Sequence, residues 1–235
     1  MPKFLAFDTS TDQLSIAVQN GDLLIEHSGA GGAQSSTTLL PLILQLLAQA
    51  GLTLRELDAI AFGRGPGSFT GLRTACAVAQ GLGFGADVPL LPVDTLHALA
   101  EEARHRFGAM RVVAVLDARM DQVYAARYVL DAGDGPDELG EAELLAPEAL
   151  VVPPGFALAG NAFAAYGERL ATATARHEVL PTAAAMLRLA PALLAAGRSV
   201  GPADAAPLYV RDKVAQTTEE RAAIKAGAVV ATDLK

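Results

Sequence analysis

The chain has one cysteine, Cys76, so no internal disulfide framework is open to it. That usage fits a reducing cytoplasm. No apolar run reaches the roughly 18 residues that a membrane span needs. The longest, residues 39–47, falls well short. The first residues carry one lysine followed by an alternating pattern, which is unlike a secretory leader. These absences predict a cytoplasmic protein with no membrane association. Positive charge is scarce as well. Lys and Arg number 18 against 26 Asp and Glu, a net charge of −8, and no local basic patch is visible. Such a surface repels nucleic acid on average.

The means of catalysis are also thin. Of the four histidines, His27, His97, His105 and His177, none lies at the i, i+4 spacing that grips zinc on a helix. No metal site is predicted. Cys76 has no base beside it in residues 74–78 and reads as a small core thiol. Ser68, in Gly67-Ser68-Phe69, is outside the G-x-S-x-G nucleophile elbow. No catalytic residue is assigned.

The most distinctive stretch is Gly63-Arg64-Gly65-Pro66-Gly67-Ser68-Phe69-Thr70-Gly71-Leu72-Arg73. It follows an apolar run at 59–62 and precedes a helical pattern at 72–84. Pro66-Gly67 suits the centre of a type II turn, and Ser68 or Thr70 can cap the helix. Three uses compete for the loop: tight strand-to-helix packing, a phosphate cradle at a helix N-terminus, and a platform for a partner. No Gly-Lys-Ser/Thr closes it, so it is not a Walker loop, and Gly71 falls one position late for a dinucleotide fingerprint. Packing is the favoured reading on the residues alone.

With 235 residues, 51% of them hydrophobic, the chain has material for one large or two small domains. Strands are predicted at 3–8, 14–18 and 23–26, the last two joined by an Asn20-Gly21 hairpin, and then a loop at 29–33. Ser35, Ser36 or Thr37 caps a helix with Pro41 in its first turn and Leu39, Leu40, Ile43, Leu44, Leu46 and Leu47 apolar. Thr53 and Glu56 form a capping box. A strand at 89–93 and a helix ending at Arg106 follow. Farther on come an acidic loop at 131–140, a short turn or strand end at 148–152 and a strand at 156–159. Helices follow at 162–171 and 182–196, the second kinked at Pro191. A linker at 201–207, a short element at 208–211 and a fraying or disordered tail from Gln216 close the chain.

Phe7-Asp8-Thr9-Ser10-Thr11-Asp12-Gln13-Leu14-Ser15-Ile16-Ala17 aligns without a gap on Leu116-Asp117-Ala118-Arg119-Met120-Asp121-Gln122-Val123-Tyr124-Ala125-Ala126. Asp, Asp-Gln and Ala coincide, and both segments read strand, acidic turn, strand. The repeat predicts two halves of like topology, with Asp8 and Asp117 facing each other across a cleft. On residues alone both are turn-forming carboxylates or phosphate-site aspartates, and the first reading is favoured.

The glycine loop, Phe4-Leu5-Ala6-Phe7-Asp8-Thr9-Ser10, Leu116-Asp117-Ala118-Arg119-Met120 and Pro207-Leu208-Tyr209-Val210-Arg211 together resemble the bacterial TsaB family. That family is the non-catalytic subunit of the machinery that places threonylcarbamoyl on an adenosine beside the tRNA anticodon. The likeness runs to about Ala215. It implies an α/β fold of two actin-like, ribonuclease H-like subdomains, each a mixed sheet with flanking helices. They would span 1–108 and 109–211, with a C-terminal helix or tail at 212–235.

Active members of that superfamily hold nucleotide phosphate on an Asp-x-Gly-Thr/Ser turn, and here Ser10 and Arg119 stand where glycine would. The resemblance therefore implies a vestigial nucleotide cleft at Asp8, Thr9, Ser10, Asp117 and Arg119, with Arg119 filling it or pairing with Asp121. The TsaD relatives carry a His-x-x-x-His metal pair on the early helix. Here that helix opens Ser35-Ser36-Thr37-Thr38-Leu39, and Ser35 stands where many TsaB members have one histidine. Leu40, Leu44, Leu47, Arg73, Ala77, Gln80 and Gly81 are the expected interface with a TsaD-like transferase, or with a second copy in its absence. A TsaE-like ATPase would dock at the joint, and tRNA would be met only through the complex. No cofactor is expected on the isolated chain, and ATP or ADP only at the complex interface. The rival readings are an independent ATPase or small-molecule kinase of the actin-like superfamily and, without ligands to support it, a peptidase.

Overall fold

The computed structural model describes residues 1–32, 35–130 and 138–211. The expected tail and most of the acidic loop lie outside these residues. The first half runs β1 (Lys3–Asp8), β2 (Gln13–Asn20), β3 (Leu23–Ala30), α1 (Ser35–Gln49), β4 (Ala59–Gly65), α2 (Phe69–Ala86) and β5 (Leu90–Asp94). Then come α3 (Thr95–Phe107), β6 (Arg111–Arg119), β7 (Gln122–Val129), β8 (Glu138–Leu139), β9 (Glu143–Leu145), β10 (Ala157–Gly160), α4 (Phe163–Tyr166), β11 (Arg176–Glu178) and α5 (Ala183–Ala195).

Two mixed sheets result. The first has the order β3-β2-β1-β4-β5 and the second β11-β10-β6-β7-β8, with β9 also on β7. β1 pairs antiparallel with β2 and parallel with β4. β6 pairs antiparallel with β7 and parallel with β10. Each half thus opens with a hairpin, as the repeat predicts, and in each the first strand lies mid-sheet. β1 is buried over its last five residues because helices cover both its faces.

The helices do not stay with their own halves. α1 and α2 pack on the outer face of the first sheet, through Leu39, Ile43, Leu46, Leu47, Ala75 and Ala79. α5 returns from the end of the chain to cover that sheet's inner face, where Phe4, Ala6, Ala17, Ala59 and Ala61 meet Ala183, Met186 and Ala190. Alanine on both sides brings helix and sheet close. α3, which follows the first sheet in sequence, puts Leu96, Leu99 and Ala103 onto Val112, Ala114 and Tyr128 of the second. α3 and α5 therefore lie against one another between the sheets.

Several local expectations change. β3 runs on to Ala30, through part of the predicted loop, because all its residues pair with β2. Helix α1 begins at Ser35, which puts Pro41 in the second turn rather than the first, on the exposed side. The helix expected at 162–171 is one turn of α4 and a 3-10 turn, interrupted where Gly167 takes a positive φ of 49°. The stretch at 148–152 gives a 3-10 turn, Pro147–Ala149. β11 was not expected, since Arg176-His177-Glu178 has no apolar run. The 208–211 segment forms no regular element. α5 continues through Pro191, and Thr182 caps it by accepting from the Ala185 N–H at 3.1 Å.

Candidate functional site

The two aspartates lie at or near the ends of the central strands of their sheets, Asp8 as the last residue of β1 and Asp117 two residues before the end of β6, and make the same turn. Asp8 Oδ1 accepts the Ser10 N–H at 2.8 Å, and Asp117 Oδ1 accepts the Arg119 N–H at 2.8 Å. Each carboxylate bonds the backbone two residues on, as turn-forming aspartates do. Their surroundings differ. Asp8 is sealed, with a second bond from Ser10 Oγ at 2.6 Å and, among the described residues, no hydrogen-bond partner for Oδ2. Burial pushes its carboxyl up to about 6 against the pull of the Ser10 bonds, and the nearby Thr95 hydroxyl eases it down slightly. Asp117 takes the Tyr166 hydroxyl at 2.8 Å and Arg119 Nη1 at 3.0 Å. Burial first, and then the bond to Asp117, raise the Tyr166 phenol to about 12.

A cleft of about 300 Å³ lies between the halves, lined by Ser10, Asp12, Ser68, Phe69, Asp117 and Arg119 among others. Asp8 is not on its wall, so the expected confrontation of the two aspartates does not occur. The pairing predicted for Arg119 also differs. It bridges the joint to Asp12 at 2.9 Å, while Asp121 is held by Arg169 at 2.8 Å. Thr9 is buried, its hydroxyl donating to the Gly71 carbonyl at 2.7 Å.

The glycine loop is welded to the first turn. A Cβ on Gly71 would overlap the Thr9 carbonyl oxygen, one on Gly63 would overlap the Asp8 carboxylate, and one on Gly67 would stand 2.5 Å from the Ser10 carbonyl oxygen. The Ser68 N–H donates to the Ser10 carbonyl at 2.7 Å, and Ser68 caps α2 by accepting from Gly71 N at 3.5 Å. The amides a phosphate cradle would use are thus partly spent inside the chain. The type II turn is not formed: the positive φ, 123°, falls on Gly65, and the Gly65–Pro66 bond is cis. Arg64 pairs with Asp94 at the start of α3.

Across the cleft, Arg119, Met120 and Asp121 all adopt left-handed backbone, with φ of 59°, 55° and 61°. Each such non-glycine residue costs about 1 kcal/mol or more. Arg211 holds the turn, its Nη2 donating to the Ala118 carbonyl at 2.9 Å and the Arg119 carbonyl at 3.4 Å. Three residues earlier, the Leu208 N–H donates to the Arg64 carbonyl at 2.7 Å. The 208–211 segment is thus a strap from the glycine loop to the opposite hairpin.

The outer faces of α1 and α2 carry the second feature. Leu40 and Leu44 are exposed on α1, and Phe69, Arg73, Ala77, Gly81, Phe84 and Gly85 on α2. Phe84, at 65% exposure, was not among the expected interface residues. Among the described residues, beyond the helix's own backbone, nothing lies within 4 Å of where a Cβ would stand on Gly81 or Gly85. A helix-interior glycine is about 1 kcal/mol worse than alanine, and nothing among the described residues calls for it at either place. Two expected interface residues are turned inward. Leu47 is 3% exposed and belongs to the core under the first sheet. Gln80 is half-buried and donates to the Ala205 carbonyl at 3.0 Å.

Among the described residues, no three His, Cys, Asp or Glu side chains cluster to hold a metal, and no helix is long and apolar enough to cross a membrane. Buried Cys76 has its thiol pushed up by desolvation and points at the Ala205 carbonyl, 3.5 Å away. Sequence reasoning missed a buried clamp between α3 and α5. Glu101, 3% exposed, accepts from Arg104 Nε at 2.6 Å and Arg188 Nε at 2.8 Å, and Arg188 also reaches Glu102 at 2.7 Å. Burial pushes the Glu101 carboxyl up, but the two guanidiniums outweigh it and hold it below its ordinary range. Arg104 meets Glu101 as an i,i+3 pair within α3, and only the packing of α5 on α3 brings Arg188 to them.

Residues 29–219 match the family model described as TsaD, tRNA N6-adenosine threonylcarbamoyltransferase. The chain is 33% identical over 222 residues to the tRNA threonylcarbamoyladenosine biosynthesis protein TsaB of Escherichia coli, covering 91% of this chain and 96% of the relative. To the TsaB of Haemophilus influenzae it is 34% identical over 223 residues, covering 89% and 94%. The solved structure of YeaZ from Pseudomonas aeruginosa superposes with a TM-score of 0.82 at 39% identity, covering 89% of this chain and all of that one. A second solved structure, described as an uncharacterized protein similar to peptidase YeaZ from that organism, gives 0.83 at 39% identity over 90% of this chain and all of that one. Two hairpin-led halves of the TsaD/actin-like type, with these relatives along nearly the whole chain, lead to one conclusion: the chain belongs to the TsaB family.

Proposed function

We propose that this chain is a non-catalytic subunit in the biosynthesis of threonylcarbamoyladenosine in tRNA, docking on a TsaD-type transferase through the outer faces of α1 and α2. The observation that carries this is the open space above Gly81 and Gly85, with exposed Phe84 on the same helix and exposed Leu40 and Leu44 on α1, which packs against it. Small residues on a helix let another helix approach closely, and exposed apolar side chains around them supply the area to bury. Without the transferase, the same face accounts for a homodimer. In the complex a TsaE-type ATPase meets the joint, tRNA is reached only through the assembly, and ATP or ADP sits only at its interface.

Asp8, which would serve nucleotide chemistry in an active relative, is buried off the cleft, and Arg119 spans the mouth with Asp12. That supports a subunit with no cofactor and no turnover of its own. It would work in the cytoplasm as two subdomains, 1–108 and 109–211, that exchange α3 and α5. The experiment is co-expression with the TsaD-type transferase of the same organism, followed by sizing and a tRNA modification assay with and without this chain. Ala77→Arg and Leu44→Glu should each abolish co-purification while leaving the chain folded. Undiminished binding by both removes the docking face. Steady ATP hydrolysis or chelator-sensitive peptide cleavage by the isolated chain removes the non-catalytic reading.

A further inference from the structure

We propose that the 208–211 strap couples occupation of the α2 face to the left-handed turn at residues 119–121 across the cleft. The inference rests on the docking reading for its partner but not for its mechanism. Tyr209 is the link. Its ring lies 5.5 Å from that of Phe69, and its hydroxyl accepts from Arg73 Nε at 3.0 Å. Arg73 itself lies 3.8 Å over the Phe69 ring. Phe69 and Arg73 stand on the exposed stripe of α2, so the strap touches the face on which a partner would sit.

Two residues beyond Tyr209, Arg211 spends its guanidinium on Ala118 and Arg119 carbonyls and on Met120 Sδ, at 3.0 Å. None of these acceptors is a carboxylate; Arg211 serves to hold the turn. Three consecutive left-handed residues cost the backbone free energy, so the turn depends on the contacts that hold it: Arg211, and beside it the bonds of Arg119 to Asp117 and Asp12 and of Arg169 to Asp121. The coupling requires that losing the Arg211 share loosens it measurably. Fixing Phe69 and Arg73 fixes Tyr209, which seats Arg211 and holds the turn. Loosening them frees it.

Hydrogen exchange at the amides of residues 118–122 reads this directly. In the isolated full chain, Arg211→Ala should speed exchange there at least tenfold, and Arg73→Ala or Tyr209→Ala at least threefold, with α3 and β6 unchanged. With the transferase bound, exchange at the wild-type turn should slow about fivefold, and Tyr209→Ala should erase that slowing within an intact complex. Unchanged exchange at the turn in both Arg73→Ala and Tyr209→Ala overturns the coupling, as does a formed complex that leaves the turn at its free rate. Failure to form any complex counts instead against the docking reading, and the isolated-chain measurements then decide the coupling alone.

Discussion

Asp8 and Asp117 occupy equivalent positions, each closing its turn with an N–H bond of 2.8 Å, yet one is sealed under Ser10 and the other opens on the cleft. The same local chemistry is thus spent on structure in the first half and left at a surface in the second. That asymmetry leaves Asp8 a structural setting alone and puts Asp117 on the cleft wall, bonded to Tyr166 and Arg119.

The sealed carboxyl makes stability depend on pH. Below its ordinary value of 3.8, Asp8 is protonated in the folded and unfolded chain alike and costs nothing. As pH rises the unfolded chain ionises first, so the folded state loses ground until the buried group ionises near 6, and the penalty is constant above. A gap of two units at about 1.4 kcal/mol each suggests a cost of about 3 kcal/mol at neutral pH. Asp8→Asn should therefore raise the urea midpoint at pH 7.5 and flatten its fall between about pH 4 and 6. A less stable variant would show that the ionised carboxylate is wanted.

The glycines divide into two classes with opposite expectations. Gly71→Ala drives a methyl into the Thr9 carbonyl, and should cost about 2–3 kcal/mol or prevent folding. Gly81→Ala and Gly85→Ala meet open space, and each should stabilise the isolated chain by about 1 kcal/mol. The same two changes should weaken transferase binding. Thermal melts and a pull-down measured side by side decide between surface neutrality and an interface.

Leu44 and Leu47 sit on one helix with opposite fates. Leu44→Glu should shift stability by no more than about 0.5 kcal/mol, because the side chain is 49% exposed. Leu47→Glu buries a charge in the core and should leave little folded protein, so it is no test of docking. Circular dichroism melts of the two variants check the assignment.

Arg188→Met removes a cation shared by buried Glu101 and its neighbour Glu102. Loss of hydrogen bonds to charged groups of this kind costs about 2 kcal/mol. The loss should shrink as the pH is lowered, since protonating Glu101 removes the charge that needs compensation. Denaturation at pH 7, and then at falling pH from the carboxyl's ordinary 4.5 down through its lowered value in the folded chain, measures both effects.

The sequence by itself determined what is local and periodic. The hairpins, the capping box at Thr53 and Glu56, whose carboxylate accepts from Thr53 N and Oγ1 at 2.8 Å, and the Asp8–Asp117 repeat all depend on neighbours a few residues apart. That the glycine loop packs tightly was legible from its composition, but the turn it packs on, Asp8, Thr9 and Ser10, lies far away in the chain and was supplied by the tertiary structure. What tertiary structure decided was which apolar face meets which surface. Leu40, Leu44 and Leu47 are chemically equal on α1, and only the position of the first sheet turns one inward and two outward. The crossing of α3 and α5, the Glu101 clamp, the strand at Arg176–Glu178 and the partner of Arg119 depend on segments far apart in the chain. No periodicity encodes such contacts, because burial is settled by the whole core and not by any one helix.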